Sequence, residues 1–174
     1  QRIAWIGLLN NDVKEYQAYM ERVKLLGRKE IDGDKQAMFE ANQKAPPDVN
    51  LLKARLLFDG GYYQRAASLL EAISKNDFIA AREKLEYTYR LGRIYDAWGI
   101  PEKAIPYYKL TIADGADKSW YFAANSALHL GMIYEAAGNL KDAINCYERC
   151  LSMDFKEYNF SITQKARAGL NRLK

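Results

Sequence analysis

Apolar residues recur along most of the chain at the spacing of three and four that places them on one face of an α-helix. The clearest stretch runs from Glu86 to Ala113 and predicts one helix, a tight turn and a second helix. Gly99 and Pro101 mark the turn, because glycine tolerates a left-handed helix end and proline suits the first turn of a helix. The positions predicted to face the neighbouring helix are Leu91, Gly92, Tyr95, Ala104 and Tyr108.

The same order of small, aromatic and turn residues returns 39 positions later. The corresponding residues there are Leu130, Gly131, Tyr134, Gly138, Ala143 and Tyr147. An earlier copy, 38 positions upstream of Ala104, has Ala66, with Gly61 at the turn and Leu70 in place of the aromatic residue. Recurrence in a fixed order indicates helical hairpins that each bury an apolar face against the next. Gly92 and Ala104 are where two helices are expected to approach closely.

This pattern resembles the tetratricopeptide repeat family, whose period is about 34 residues. The first-helix glycine, the aromatic residue three positions later and the second-helix alanine all match, in a variant with a longer period. The family's tryptophan near the start of the first helix is absent, and Thr88 and Ala127 stand there instead. The resemblance covers residues 48–174 well and residues 1–47 loosely. It implies an all-α fold of antiparallel hairpins stacked as a right-handed superhelix, an α-solenoid.

The chain is expected to divide into three parts. Residues 1–47 form a partial, irregular repeat, residues 48–153 form three hairpins, and residues 154–174 form a C-terminal capping helix. The predicted helices are Arg2 to Leu9, Val13 to Leu26, Asp34 to Ala45, Val49 to Asp59, Tyr62 to Ser74, Phe78 to Trp98, Pro101 to Ala113, Lys118 to Ala137, Leu140 to Met153 and Glu157 to Leu173. An extra helical turn, Trp120 to Ala123, would account for the long period.

The last helix is predicted to keep Phe160, Ala166, Ala168, Leu170 and Leu173 on its apolar side and to end the array near Lys174. The N-terminal apolar run from Ile3 to Leu9 is too short for a secretory signal. We therefore expect the chain, which begins at Gln1, to be the C-terminal part of a longer repeat protein. Any targeting signal would then lie upstream, so no compartment is assigned.

Composition fits a packed helical protein, with 49% hydrophobic and 28% charged residues among 174. No run of about 18 apolar residues is present, so no membrane span is predicted. The formal net charge of +4 comes from the last helix, which carries Lys156, Lys165, Arg167, Arg172 and Lys174 against Glu157. These basic residues could contact nucleic acid. A solvated face that complements the helix dipole is the stronger interpretation, and nucleic-acid binding is not expected.

Few residues could carry chemistry. His129 is the single histidine, and without further ligands it predicts a packing or surface residue rather than a metal site. Cys146 and Cys150 lie four apart on one predicted helix, on the side of Ala143 and Tyr147, and are interpreted as buried free thiols. The sequence contains no phosphate loop and no nucleophile elbow. We expect no enzymatic activity, no cofactor and no metal.

In the tetratricopeptide family the first helices of the hairpins line an inner groove, which implies a concave face on this chain. The candidate residues for partner binding there are Arg55, Tyr89, Arg93, Asp96, Asn125, Met132 and Glu135, with Leu51 and Leu128 beside them. Arginine and tyrosine are frequent in binding hot spots. An alternative is that Arg93 simply pairs with Asp96 or Glu135.

The family's best-known groove binds chaperone C-termini through lysine and asparagine at defined first-helix positions. Here those positions hold Leu51, Tyr89 and Leu128, then Arg55, Arg93 and Met132. This departure gives no support to a chaperone-tail role.

The resemblance therefore implies a non-enzymatic scaffold that binds a peptide or a partner helix in the concave groove. One alternative is a nucleic-acid-binding or regulatory module that uses the basic last helix. Another is self-association through apolar residues at the N-terminus, around Trp5, Ile6 and Leu9.

Overall fold

The computed structural model describes residues 1–28 and 30–173, so Lys174, the expected end of the array, lies outside the described residues. Within these ranges the chain forms ten α-helices and one short 3-10 turn, and no strand. The chain consists of two compact units, residues 1–53 and residues 54–174. The all-α class predicted from the apolar spacing is confirmed.

The first unit contains α1 (Arg2–Leu9), α2 (Val13–Leu26) and α3 (Asp32–Ala41), and α2 packs against both neighbours. Asp12 caps α2, because its Oδ1 accepts a hydrogen bond of 2.9 Å from the backbone N–H of Glu15. The Glu40 carboxylate on α3 ties the three helices together. Its Oε1 accepts hydrogen bonds from Trp5 Nε1 at 2.7 Å and from the Tyr16 hydroxyl at 3.1 Å.

This packing corrects the expectation of an exposed apolar N-terminus. Trp5 is 5% exposed and belongs to the core of the first unit, with its indole N–H satisfied by Glu40. Ile6 is 55% exposed, and Leu9 is half-buried. A self-associating surface at this end could therefore not use the tryptophan, the largest of the three side chains named for it.

The second unit is a stack of hairpins. Its helices are α4 (Val49–Asp59, which begins in the first unit), α5 (Tyr63–Glu71), α6 (Ala81–Ala97), α7 (Pro101–Gly115), α8 (Phe122–Ala136), α9 (Leu140–Leu151) and α10 (Asn159–Leu173). From α5 to α10 each helix packs against the next, and α8 also contacts α6 and α10. The first helices α6, α8 and α10 therefore form one layer and the second helices α7 and α9 the other, which confirms the predicted helical-repeat solenoid.

The turns inside the hairpins have one geometry. Gly99 and Gly138 adopt φ values of 78° and 76°, in the left-handed region that glycine enters without steric cost. The next residue's N–H then bonds back five residues, from Ile100 to Tyr95 O at 2.9 Å and from Asn139 to Tyr134 O at 2.9 Å. These are Schellman-type helix ends, which satisfy carbonyl groups that the helix leaves unpaired.

The predicted close approach of the two helices is also present. A Cβ atom added at Gly92 would lie 2.7 Å from the Tyr108 ring, and one at Gly131 would lie 2.6 Å from the Tyr147 ring. Sequence reasoning missed a third such contact on α10, where a Cβ at Gly169 would lie 2.5 Å from the other edge of Tyr147. Only glycine lets these helices reach the tyrosine rings.

The long period does not arise from an extra helical turn, as the sequence predicted, but from longer connections between the hairpins. Helix α8 begins at Phe122 rather than Lys118, and α6 begins at Ala81 rather than Phe78. The added residues lie in the connections 72–80 and 116–121, so no extra helical turn starts at Trp120. Tyr121 instead packs against the rings of Tyr89 and Tyr158, at centroid distances of 5.5 and 5.0 Å.

The apolar side of α10 also differs from the prediction. Ile162, Ala166 and Leu170 are buried, whereas Phe160 is 76% exposed. Ala168 is exposed as well, because the buried stripe follows the spacing of four from Ile162 to Leu170.

Candidate functional site

The seven candidate residues all lie on first helices, where side chains of successive repeats come into contact. Arg55 is on α4, Arg93 on α6 and Asn125 on α8. The hydroxyl of Tyr89 connects the last two, because it accepts hydrogen bonds from Arg93 Nη1 at 3.1 Å and from Asn125 Nδ2 at 2.7 Å. The Tyr89 ring itself is buried against Phe122, at a centroid distance of 5.2 Å.

A cavity of about 130 Å³ opens beside this hydroxyl, between α4 and α6. Its lining residues are Ala54, Arg55, Phe58, Asp59, Tyr89, Arg90, Arg93, Ile94 and Tyr121. Three of the candidate residues therefore share one cavity. Sequence reasoning missed Phe58, Arg90 and Tyr121; Arg90 lies beside candidate residues in sequence, but nothing local marks the other two.

Arg93 does not form the ion pairs considered for it. Its guanidinium carbon lies 5.3 Å from the centroid of the Phe58 ring, in a cation–π contact. Its Nε is buried and has no hydrogen-bond partner. Asp96 instead accepts a hydrogen bond from His129, and Glu135 forms its ion pair with Arg172.

Asp96 is held from two sides. Its Oδ2 accepts hydrogen bonds from the Tyr108 hydroxyl at 2.9 Å and from His129 Nδ1 at 3.0 Å. Burial alone would raise the pKa of Asp96, but these two hydrogen bonds lower it below its ordinary value. The Asp96 carboxylate is therefore ionised, and its hydrogen bonds are made to groups of the protein itself.

His129 is the packing residue that the sequence suggested. Its ring stacks on Tyr108 with centroids 5.8 Å apart. Burial lowers the pKa of His129 below 6.5, so the imidazole is neutral at pH 7 and donates its Nδ1–H to Asp96.

Glu135 is joined to the last helix. Arg172 on α10 donates from Nε and Nη2 to the two carboxylate oxygens, both at 2.9 Å, and the Tyr147 hydroxyl donates to Oε2. The hydrogen bonds from Arg172 and then from Tyr147 lower the pKa of Glu135. Met132, one turn earlier on the same helix, is 38% exposed. Glu135 is thus engaged, while Met132 is accessible.

The two leucines placed beside the candidates are core residues. Leu51, in the first unit, is 2% exposed, and Leu128 is 1% exposed. Neither offers an accessible side chain to a partner, which follows from the apolar stripe that each belongs to.

The remaining chemically notable residues form no reactive centre. Cys146 and Cys150 are free thiols, half-buried and buried respectively. Burial raises the pKa of Cys146 to about 11 and that of Cys150 to about 12, so both stay protonated and weakly nucleophilic. In the part of the chain that the structure describes, no three histidine, cysteine or acidic residues converge as metal ligands.

The basic helix α10 is only partly available. Lys165 and Arg167 are exposed, whereas Arg172 is bound to Glu135. Lys174 lies outside the described residues. Among the described helices, none combines the length and apolar character that crossing a membrane requires.

Comparison with known proteins identifies one segment. Residues 124–157, which contain most of α8, all of α9 and the connection that follows, match the family model described as Tetratricopeptide repeat. Searches of curated proteins and of solved structures returned no match.

Proposed function

We infer that this chain, which belongs to the tetratricopeptide repeat family, is a protein-interaction module that binds its partner on its first helices. The bound element is an extended peptide or a partner helix. It lies along the surface carried by α4, α6 and α8, which we call the first-helix face. We define this face by Arg55, Tyr89, Arg93, Asn125 and Met132.

One observation carries this proposal. The first-helix face contains a cavity in which arginine side chains stand beside aromatic rings. Arginine offers a planar set of donors, and aromatic rings offer rigid contact area, so the two together are typical of binding hot spots. Asp96 and Glu135, by contrast, are engaged within the protein, and we place them beneath the binding surface rather than in it.

A non-catalytic role agrees with the chemistry of the unit. Repeats of this family typically act as interaction scaffolds rather than enzymes. The two thiols are protonated at neutral pH, and the single histidine is held by Asp96. We therefore propose binding as the function of the second unit.

Site-specific photo-cross-linking tests the proposal. A benzoylphenylalanine at Met132 would stand on the first-helix face, and one at Leu110 would stand on α7 in the second-helix layer. The two wild-type side chains are 38% and 41% exposed, so the probes are matched in accessibility. In lysate of the source cell, a protein should be captured from position 132 and not from position 110. Equal capture from both positions, or capture from position 110 alone, would contradict the assigned face.

A further inference from the structure

Arg93 carries a charge that the protein does not neutralise by contact. Within the described residues, no carboxylate oxygen lies within 4.0 Å of its guanidinium group. One nitrogen, Nη1, donates to the Tyr89 hydroxyl, and the buried Nε donates to nothing. A buried, unsatisfied donor on a charged group is costly, because desolvation is not compensated. Such a cost is expected where a ligand supplies the missing acceptor.

The residues that line the cavity at Arg93 carry more positive than negative charge. Arg55, Arg90 and Arg93 line it against one acidic residue, Asp59. Arg90 is paired with Glu86 on its own helix, and Arg55 approaches Asp59 at 3.9 Å. Among the lining residues, these pairs leave Arg93 without a carboxylate in contact; Asp96, which does not line the cavity, acts on Arg93 only through space. Because the rings of Phe58, Tyr89 and Tyr121 close part of the cavity off from solvent, the charge of Arg93 attracts an anion more strongly than it would in bulk water.

The residues that line the cavity indicate which anion it would bind and what chemical group would carry that anion. Phe58, Tyr89 and Tyr121 contribute aromatic surface to the cavity, which suits a methylene stem. A phosphate dianion would bring twice the charge towards Asp59, whereas a carboxylate brings one. A carboxylate also matches the arginine fork in shape, with two oxygens for two N–H donors.

We propose that this cavity receives the side-chain carboxylate of a glutamate or aspartate within the partner peptide, bound by the Nε and free Nη2 of Arg93. The peptide would thus be acidic at one defined position and would not need to present a chain terminus. This inference rests on the proposed function, because it names the chemistry of the partner that the first-helix face binds.

The experiment uses capped amino acids as probes of the full chain. With arginine Nε labelled by ¹⁵N, the Arg93 resonance is followed while N-acetyl-glutamate amide is added. We expect a saturable shift of that resonance, and no such shift with N-acetyl-glutamine amide, which has the same shape without the charge. N-acetyl-phosphoserine amide and N-acetylglycine, which ends in a free main-chain carboxylate, test the competing anions. Tighter binding of either, or equal shifts with the glutamine probe, would overturn the proposal.

Variants separate ligand binding from structure. Arg93→Gln should weaken binding of the glutamate probe by roughly tenfold or more, as a charge-assisted hydrogen bond is lost. Arg93→Lys, which keeps the charge without the fork, should retain part of the binding. Arg149→Gln makes the same chemical change on an exposed position of α9 and should leave binding unchanged.

Stability gives a second readout. Arg93→Gln loses the contact with Phe58 but also removes a buried donor without an acceptor, and Tyr89 keeps its donor from Asn125, so this variant should melt close to the wild type. A clear loss of stability would assign Arg93 to the fold and overturn the ligand role. The photo-cross-link at Met132 distinguishes the two proposals. If Arg93→Gln leaves that cross-link at full yield, the face still binds its partner but the carboxylate cavity is wrong.

Discussion

The hairpins α6–α7 and α8–α9 each contain the same three-residue contact between their two helices, which we call the junction. In each, a first-helix glycine receives a tyrosine from the second helix, at Gly92 with Tyr108 and at Gly131 with Tyr147. In each, that tyrosine's hydroxyl donates to an acidic residue on the first helix, Asp96 in one and Glu135 in the other. The three residues of one hairpin lie 39 positions from those of the next. The repeat therefore encodes packing and a buried polar contact together.

The two junctions differ in how they join the following helix. Asp96 accepts from His129 on α8, which is neutral because burial lowers its pKa. Glu135 accepts two hydrogen bonds from Arg172, an exposed residue on α10. A charged partner is thus used where solvent can hydrate it, and a neutral donor where it cannot. The glycine and tyrosine set the packing of the repeat, while the polar link depends on the exposure of each junction.

The largest effect should come from filling the glycine of the second junction. Tyr147 is enclosed by Gly131 on one edge and Gly169 on the other, whereas Tyr108 has the His129 ring beside it. Gly131→Leu should therefore lower the free energy of unfolding by roughly 1–3 kcal/mol through overpacking. Gly92→Leu should cost less, because Tyr108 is in close contact with one glycine rather than two. Urea unfolding monitored by circular dichroism measures both.

Ala136→Leu provides the control for the glycine variants. It adds a leucine to α8 at an exposed position, so its unfolding free energy should stay close to that of the wild type. If Gly131→Leu unfolds at the same urea concentration as this control, the close approach to Tyr147 does not limit packing.

A smaller effect is expected from removing the tyrosine hydroxyls. Tyr108→Phe takes one of two donors from Asp96, which is half-buried, and should cost roughly 1–2 kcal/mol. Tyr147→Phe leaves Glu135 with both donors of Arg172, so its cost should be smaller. The same urea titration compares them. A larger loss in Tyr147→Phe would mean that the exposed junction is the stronger of the two.

Features within a single hairpin could be predicted from the sequence. The turn at Gly99 and the approach of Gly92 to Tyr108 follow from short-range spacing, and the repeat displays each of them twice. The grouping of Arg55, Tyr89 and Arg93 at one cavity also follows from equivalent positions on neighbouring first helices.

Contacts between repeats that do not use equivalent positions could not be predicted. The spacing around Trp120 is compatible with a helix. Tyr121 nevertheless lies before the start of α8, where its ring packs against Tyr89 and Tyr158. The partners of the acidic residues lie 33 positions from Asp96 and 37 from Glu135, so they follow no common register. The sequence therefore pointed to Arg93, which is three positions from Asp96 and on the first helix of the hairpin before that of Glu135, and not to His129 or Arg172.

The smallest expected effect is a dependence of stability on pH near neutrality, which only the interior junction has, because Glu135 in the other junction titrates at more acidic pH. Burial lowers the pKa of His129, so as the pH falls the unfolded chain binds a proton at this histidine before the folded chain does. The contribution of neutral His129 to the free energy of unfolding is therefore fully present above pH 6.5, the ordinary histidine pKa, and is lost as the pH falls towards the pKa of the folded state. Asp96 has a lowered pKa and stays ionised in this window. His129→Gln should flatten the unfolding free energy between about pH 7.5 and 5.5 relative to the wild type, whereas Arg172→Gln should keep the wild-type slope. A slope unchanged in His129→Gln would mean that His129 does not distinguish the interior junction from the exposed one.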